Sequence, residues 1–194
     1  MTLLTVGDSH SYIPFRTIAK VRYMGAITMK RLGNPAEPLL HQAVAELTPQ
    51  PGDILLAVCG EIDIRCWAHV HLQRRKDGDA ATMLKEWAEA FLDKVASIPA
   101  NGARLGVAAV VPPSPQMKID RKEYPVAGTD QDRAHYTVLL NDALRQGAAA
   151  RNLLFLDQYS PYVGPDGMMR SDLVDSSVHI NDIGPLRVAL AALP

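Results

Sequence analysis

Apolar runs bounded by turn residues recur along the chain and predict strands at residues 2–6, 26–31, 53–59, 103–111 and 153–156. Asp53-Ile-Leu-Leu-Ala-Val-Cys59 and Arg104-Leu-Gly-Val-Ala-Ala-Val-Val111 are almost continuously hydrophobic. A strand with one face in water alternates polar and apolar residues, whereas one buried on both faces does not. These two runs therefore predict a parallel sheet covered on both sides. Helical spacing fills the intervals. Residues 38–47 carry one such pattern, and Asp79 is placed to cap a second in which Met83, Leu84, Trp87, Phe91, Leu92 and Val95 share a face. A third runs from about Asp130 to Ala150, and a last covers about 183–192 with Pro185 in its first turn. Strands alternating with helices predict an α/β fold, a three-layer α/β/α sandwich with right-handed crossovers, as a single domain over residues 1–194. The longest irregular segment, 112–129, follows a central strand and is expected to overhang the crevice at the carboxyl edge of the sheet.

Composition narrows the partners. The 194 residues carry a formal net charge of −1, and no basic run reaches five residues, so nucleic acid and anionic membranes are not expected partners. No apolar stretch approaches the eighteen or so residues of a membrane helix, and the N-terminus enters a strand almost at once, so a cytoplasmic location is expected. Cys59 and Cys66 make neither a disulfide framework nor a zinc pattern, and a buried, reduced thiol is expected at Cys59.

The chemistry gathers at strand ends. Leu3-Leu4-Thr5-Val6 runs into Gly7-Asp8-Ser9-His10, which presents a serine where a parallel sheet opens onto its ligand crevice. Val178-His179-Ile180-Asn181 supplies a histidine just before the last helix. A serine hydroxyl is a weak nucleophile and needs a base, and the imidazole titrates near neutrality, so the two together point to nucleophilic catalysis. Cys59-Gly-Glu-Ile-Asp-Ile-Arg-Cys66 places Glu61, Asp63 and Arg65 directly after a buried strand. Facing the crevice they would bind a polar substrate with His10; paired with one another they would lock the loop. His69 and His71, with His10 and these carboxylates, leave a metal site as an alternative.

Gly7-Asp8-Ser9 after strand one, Gly33 after strand two, Gly60-Glu61-Ile62-Asp63 after strand three and the late His179 occur in an order that resembles the SGNH/GDSL hydrolases along nearly the whole chain. The resemblance implies a five-stranded parallel sheet in the flavodoxin-like order 2-1-3-4-5. It also implies Ser9 as nucleophile, His179 as general base, and the N–H groups of Ser9 and Gly33 as oxyanion donors. Two positions depart from the family pattern. Ile62 stands where the family has an oxyanion-binding asparagine, and Arg65 is the first candidate to substitute for it, with an amide from the 112–129 loop as the alternative. The family's Asp-x-x-His would put the triad acid at Ser176, one residue after Asp175; Asp175 is the expected acid, with Asp172 or a Ser–His dyad as alternatives. The activity implied is hydrolysis of a small or carbohydrate-linked acyl ester without a cofactor. Acyl transfer at the same site and a non-catalytic carbohydrate- or metabolite-binding domain stand as alternatives.

Overall fold

The computed structural model describes residues 1–115, 119 and 122–194. Its centre is one sheet of five parallel strands, β1 (Leu3–Gly7), β2 (Lys20–Tyr23), β3 (Ile54–Val58), β4 (Arg104–Ala108) and β5 (Leu154–Leu156), in the spatial order β2-β1-β3-β4-β5. The order expected from the resemblance is the order observed. Successive strand residues point to opposite faces. Leu4, Val6, Leu55, Ala57 and Val107 enter one core with α3 (Leu39–Leu47), α5 (Ala80–Ala96) and α6 (Asp130–Ala150). Leu56, Val58, Ala108 and Leu156 enter another with Phe15, Tyr162, Ile180 and Leu186 of α7 (Gly184–Ala191). This second face is closed largely by irregular chain between β5 and α7 rather than by long helices.

Asp79 caps α5 by accepting from the Ala81 N–H at 3.0 Å, as its position predicts. At the start of α6 the Thr129 side chain and Asp132 satisfy each other's backbone N–H groups in a capping box. The expected helices over 38–47, after Asp79, over 130–150 and over 183–192 are all present. Four short elements went unpredicted: α1 (Ser9–Tyr12), α2 (Met29–Leu32), and a π-helical segment (Asp63–Ala68) that runs into α4 (His69–Leu72).

The second strand needs correction. It was expected at 26–31 but lies at Lys20–Tyr23, a polar edge strand that among the described residues pairs with β1 alone. An edge strand is not enclosed on both sides and need not read as an apolar run. The apolar stretch at 26–31 instead enters α2, whose Met29 and Lys30 N–H groups are held by the Asp63 carboxylate at 2.6 and 3.0 Å. Of the 112–129 segment, residues 116–118, 120 and 121 lie outside the described residues. Its later part is tied down where the Ala127 N–H donates to the Arg65 carbonyl at 2.8 Å. Among the described residues no helix is long and apolar enough to cross a membrane.

Candidate active site

Gly7 and Gly60 set the backbone at the carboxyl edge. Gly7 leaves β1 at φ +147°, and a Cβ there would run into the Val58 carbonyl oxygen of β3. Gly60 leaves β3 at φ +120°, where a Cβ would stand 2.6 Å from the Val110 side chain. Only glycine fits both positions, against the β3 backbone at Gly7 and against packed side chains at Gly60, while the chain turns. Asp8 follows as N-cap of α1, accepting from the His10 N–H at 2.8 Å, and Ser9 becomes the first residue of the helix. As a first-turn group, the Ser9 N–H has no intrahelical acceptor, and none is supplied by the other described residues.

The histidine reaches Ser9 from the opposite end of the chain. Val174 and Ile180 form an isolated antiparallel bridge, and the Asp175 N–H donates to the His179 carbonyl at 2.9 Å, so residues 175–179 close into a tight loop. Within it Asp175 Oδ1 accepts from the N–H groups of Ser177 and His179 at 2.8 and 3.1 Å. Its other oxygen lies 3.0 Å from His179 Nδ1, and His179 Nε2 lies 3.0 Å from Ser9 Oγ. The loop absorbs the extra residue between acid and histidine. Asp172 is engaged elsewhere, by Arg170 on the surface.

Electrostatics keep this chain of groups poised. Burial holds the His179 imidazole below its ordinary range, and the neighbouring His10 adds to the effect against the pull of Asp175. Burial opposes the charge on Asp175, but the bonds from the His179 and Ser177 amides and the His179 ring outweigh it and hold the carboxyl low. Near neutral pH the arrangement is therefore Asp⁻, neutral His and a serine hydroxyl, in which Nδ1–H donates to Asp175 and Nε2 is free to accept from Ser9.

His10 was expected to bind substrate, and the structure assigns it elsewhere. It is buried, its Nε2 is 3.1 Å from the Val178 carbonyl, and its Nδ1 pairs with Asp8 at 3.4 Å. Burial disfavours its charge, yet Asp8, Glu61 and the Val178 carbonyl push its pKa up to about 9. A protonated His10 thus fixes the residue next to His179 and lies 5.0 Å from the His179 ring, centroid to centroid.

The acidic run after β3 is also turned inward. Asp63 caps α2 and offers neither oxygen to the crevice. Glu61 and Arg65 form a buried pair at 2.5 and 3.0 Å, and Arg65 Nη1 donates to the Tyr124 carbonyl at 2.9 Å. Of the two expectations for Glu61 and Arg65 the structure shows the mutual lock, with Arg65 further tied to Tyr124 rather than free for the oxyanion role expected of it, and Asp63 is engaged by the α2 amides. Breaking a buried ion pair leaves an uncompensated charge, so Arg65→Ala is expected to lower stability by about 3–5 kcal/mol. Urea denaturation measures this, and a loss below about 1 kcal/mol would contradict the locking role.

Gly33 is likewise corrected. It is the C-cap of α2, its N–H donates to the Met29 carbonyl at 2.8 Å, and a Cβ there would meet α5 backbone at 2.8 Å. It serves helix packing. The glycine that follows β2 is Gly25, at φ +77°, whose N–H has no acceptor among the described residues. Its signal was present as Tyr23-Met24-Gly25, but only a correctly placed β2 would have exposed it. Ile62 is buried and apolar and offers no donor side chain.

The remaining candidates are accounted for locally. His69 contacts the Tyr136 hydroxyl at 3.2 Å and Gln73 at 2.9 Å, while His71 lies 3.2 Å from Lys30 Nζ. Among the described residues no group of three or more His, Cys, Asp or Glu side chains is placed to hold a metal ion. Cys59 and Cys66 are buried free thiols, and burial pushes both up in pKa, away from thiolate chemistry.

No protein-family model and no curated protein matches the sequence. Solved structures do match. A GDSL-like lipase from Bacteroides thetaiotaomicron superposes with TM-score 0.59 at 16% identity, over 98% of this chain and 84% of the other. A carbohydrate acetylesterase from Sinorhizobium meliloti does so with TM-score 0.59 at 14% identity, over 97% and 94%. With the strand order already established, these decide the architecture. The chain has the SGNH/GDSL hydrolase fold. The OSK domain of Drosophila Oskar shares it too, with TM-score 0.56 at 13% identity over 97% of this chain and 84% of that one. An SGNH/GDSL fold does not dictate its chemistry, which must be argued from the site.

Proposed function

We propose that the protein is a serine ester hydrolase. The observation that carries the reading is the continuous chain Ser9 Oγ–His179 Nε2–His179 Nδ1–Asp175 Oδ2, with both links at 3.0 Å. In this reading Ser9 Oγ attacks the ester carbonyl as its proton passes to His179 Nε2. The tetrahedral intermediate collapses to an acyl-Ser9 ester when His179 returns that proton to the leaving alcohol. Water, activated by the same imidazole, then releases the acid and regenerates Ser9. Asp175 fixes the tautomer and stabilises the imidazolium. The N–H groups of Ser9 and Gly25 take the oxyanion.

Exposed Tyr12 and Tyr23 stack at 5.7 Å, with Tyr12 three residues beyond Ser9 and Tyr23 paired to Gly7 in the ladder. An exposed aromatic pair carried by α1 and by the carboxyl end of β2 favours an ester on a ring-bearing alcohol, which supports the carbohydrate-linked class. The apolar Ile62 in place of a third oxyanion donor favours one competing reading, a binding domain on the same scaffold. Turnover separates the two: p-nitrophenyl acetate should be hydrolysed with saturation kinetics by the hydrolase and not by the binder.

The pH profile follows from the electrostatics. His179 must be neutral to accept the serine proton and its pKa is lowered, so kcat/KM should fall on acidification through an apparent pKa below about 6.5. His10→Gln removes a positive neighbour from His179 and should move this acid limb to higher pH. A limb that stays in place or moves lower would contradict the assigned role of His10.

A further inference from the structure

Beside the Glu61–Arg65 pair lies a cavity that the proposed mechanism does not use. Ile64, Val110, Val111 and Pro113 stand among its apolar walls, and its polar lining comes from Arg133, Ser114 and Thr137 together with the Glu61–Arg65 pair. Its volume is about 10 Å³, room for one oxygen-sized group. Arg133 belongs to the first turn of α6 and is fully buried at 0% exposure. Its Nη2 donates to the Ser114 carbonyl at 3.2 Å and to Asp130 Oδ1. Its Nε and Nη1, and the Ser114 hydroxyl, are buried without a hydrogen-bond partner among the described residues.

Everything left unsatisfied on the guanidinium is a donor, and an arginine has no acceptor to offer. Buried polar groups in folded proteins almost always have partners, so three such orphans around one cavity call for an occupant. A water would take two of these donors but bring two hydrogens of its own into a space whose carboxylate, Glu61, already accepts from Arg65 at both oxygens and whose other walls are apolar but for Thr137. An acceptor-only oxygen brings none. The second buried guanidinium lining the cavity, Arg65, adds positive character, although Glu61 and Asp130 partner the two arginines. We propose that this cavity is a carboxylate subsite, in which one carboxylate oxygen takes hydrogen bonds from Arg133 and Ser114. The subsite does not depend on Ser9 chemistry; only the identity of the occupant does. It is either a free carboxylate, such as the acid an ester hydrolase releases, or a carboxylate carried by the substrate.

The test uses full-length protein, with Ser9→Ala run beside wild type so that failure of the ester-hydrolase reading cannot be mistaken for failure of the subsite. Acetate is titrated at constant ionic strength against neutral acetamide, and binding is read as the shift in unfolding temperature and by calorimetry. Acetate should bind saturably to both proteins and acetamide should not. Ser114→Ala should weaken acetate binding severalfold, and Arg133→Gln by tenfold or more. Ser114→Ala alone decides the matter if Arg133→Gln does not fold. Stabilisation by acetate no greater than by acetamide, or affinity unchanged in Ser114→Ala, overturns the proposal. In wild type, a hemisuccinate ester with a KM at least tenfold below that of the matching acetate ester assigns the occupant to the substrate. Equal KM values together with saturable acetate binding assign it to the free acid.

Discussion

Ser9→Ala should reduce kcat on an activated ester by at least about 10³-fold while leaving the urea midpoint within the error of wild type. The loss is large because the hydroxyl is the atom that forms the covalent bond, and no neighbouring group replaces it. The fold should be indifferent. Ser9 is half-buried at a helix start whose cap is Asp8, and its Oγ contact among the described residues is with His179. His179→Ala should lose a similar factor, and the double variant should lose little more than either single one, because the pair acts as a unit. Multiplying losses in the double variant would show that the two residues work independently and would break the assignment. Steady-state rates on p-nitrophenyl acetate, with denaturation curves for each variant, provide the comparison.

Asp175→Asn should cost about 10²–10⁴ in kcat with a smaller effect on KM. The carboxylate accepts from His179 Nδ1 at 3.0 Å, and that bond keeps Nε2 unprotonated toward Ser9. An asparagine that turns its NH₂ to the ring reverses the tautomer, so Nε2 would carry a proton and could not take one. Asp175 Oδ1 also holds the Ser177 and His179 amides, so loop geometry and tautomer are both at stake. Asp175 is part-exposed, which screens its charge, and the loss should therefore not exceed that of His179→Ala. An unchanged rate would leave a Ser9–His179 dyad as the working unit.

How far the sequence could be read depended on what each residue had to do. The central strands β3 and β4 declare themselves because burial on both faces demands unbroken apolar runs. Lys20–Tyr23 does not, since an edge strand tolerates charge, and the misplaced strand put the expected oxyanion glycine at Gly33, whose N–H is bound by the Met29 carbonyl. The meeting of Ser9 with His179 was legible from their places at a strand end and before the final helix, and that of His179 with Asp175 despite the offset. Glu61, Asp63 and Arg65 misled because charges after a buried strand look like a crevice lining. Here one carboxylate replaces missing acceptors for α2, and the other two charges satisfy each other. Nothing in their spacing separates these uses. The buried Arg133, with Nε and Nη1 left without acceptors, was likewise invisible in the sequence, because an arginine in the first turn of a helix ordinarily points to solvent.

The central claim is that His179 and Asp175 make Ser9 a nucleophile. Covalent labelling with a fluorophosphonate, followed by intact-mass measurement and peptide mapping, tests it most directly. The account predicts one adduct per chain on Ser9 in wild type, none in Ser9→Ala, and labelling slowed by orders of magnitude in His179→Ala. Folded wild-type protein that takes up no label, or carries it on another residue, would contradict the account.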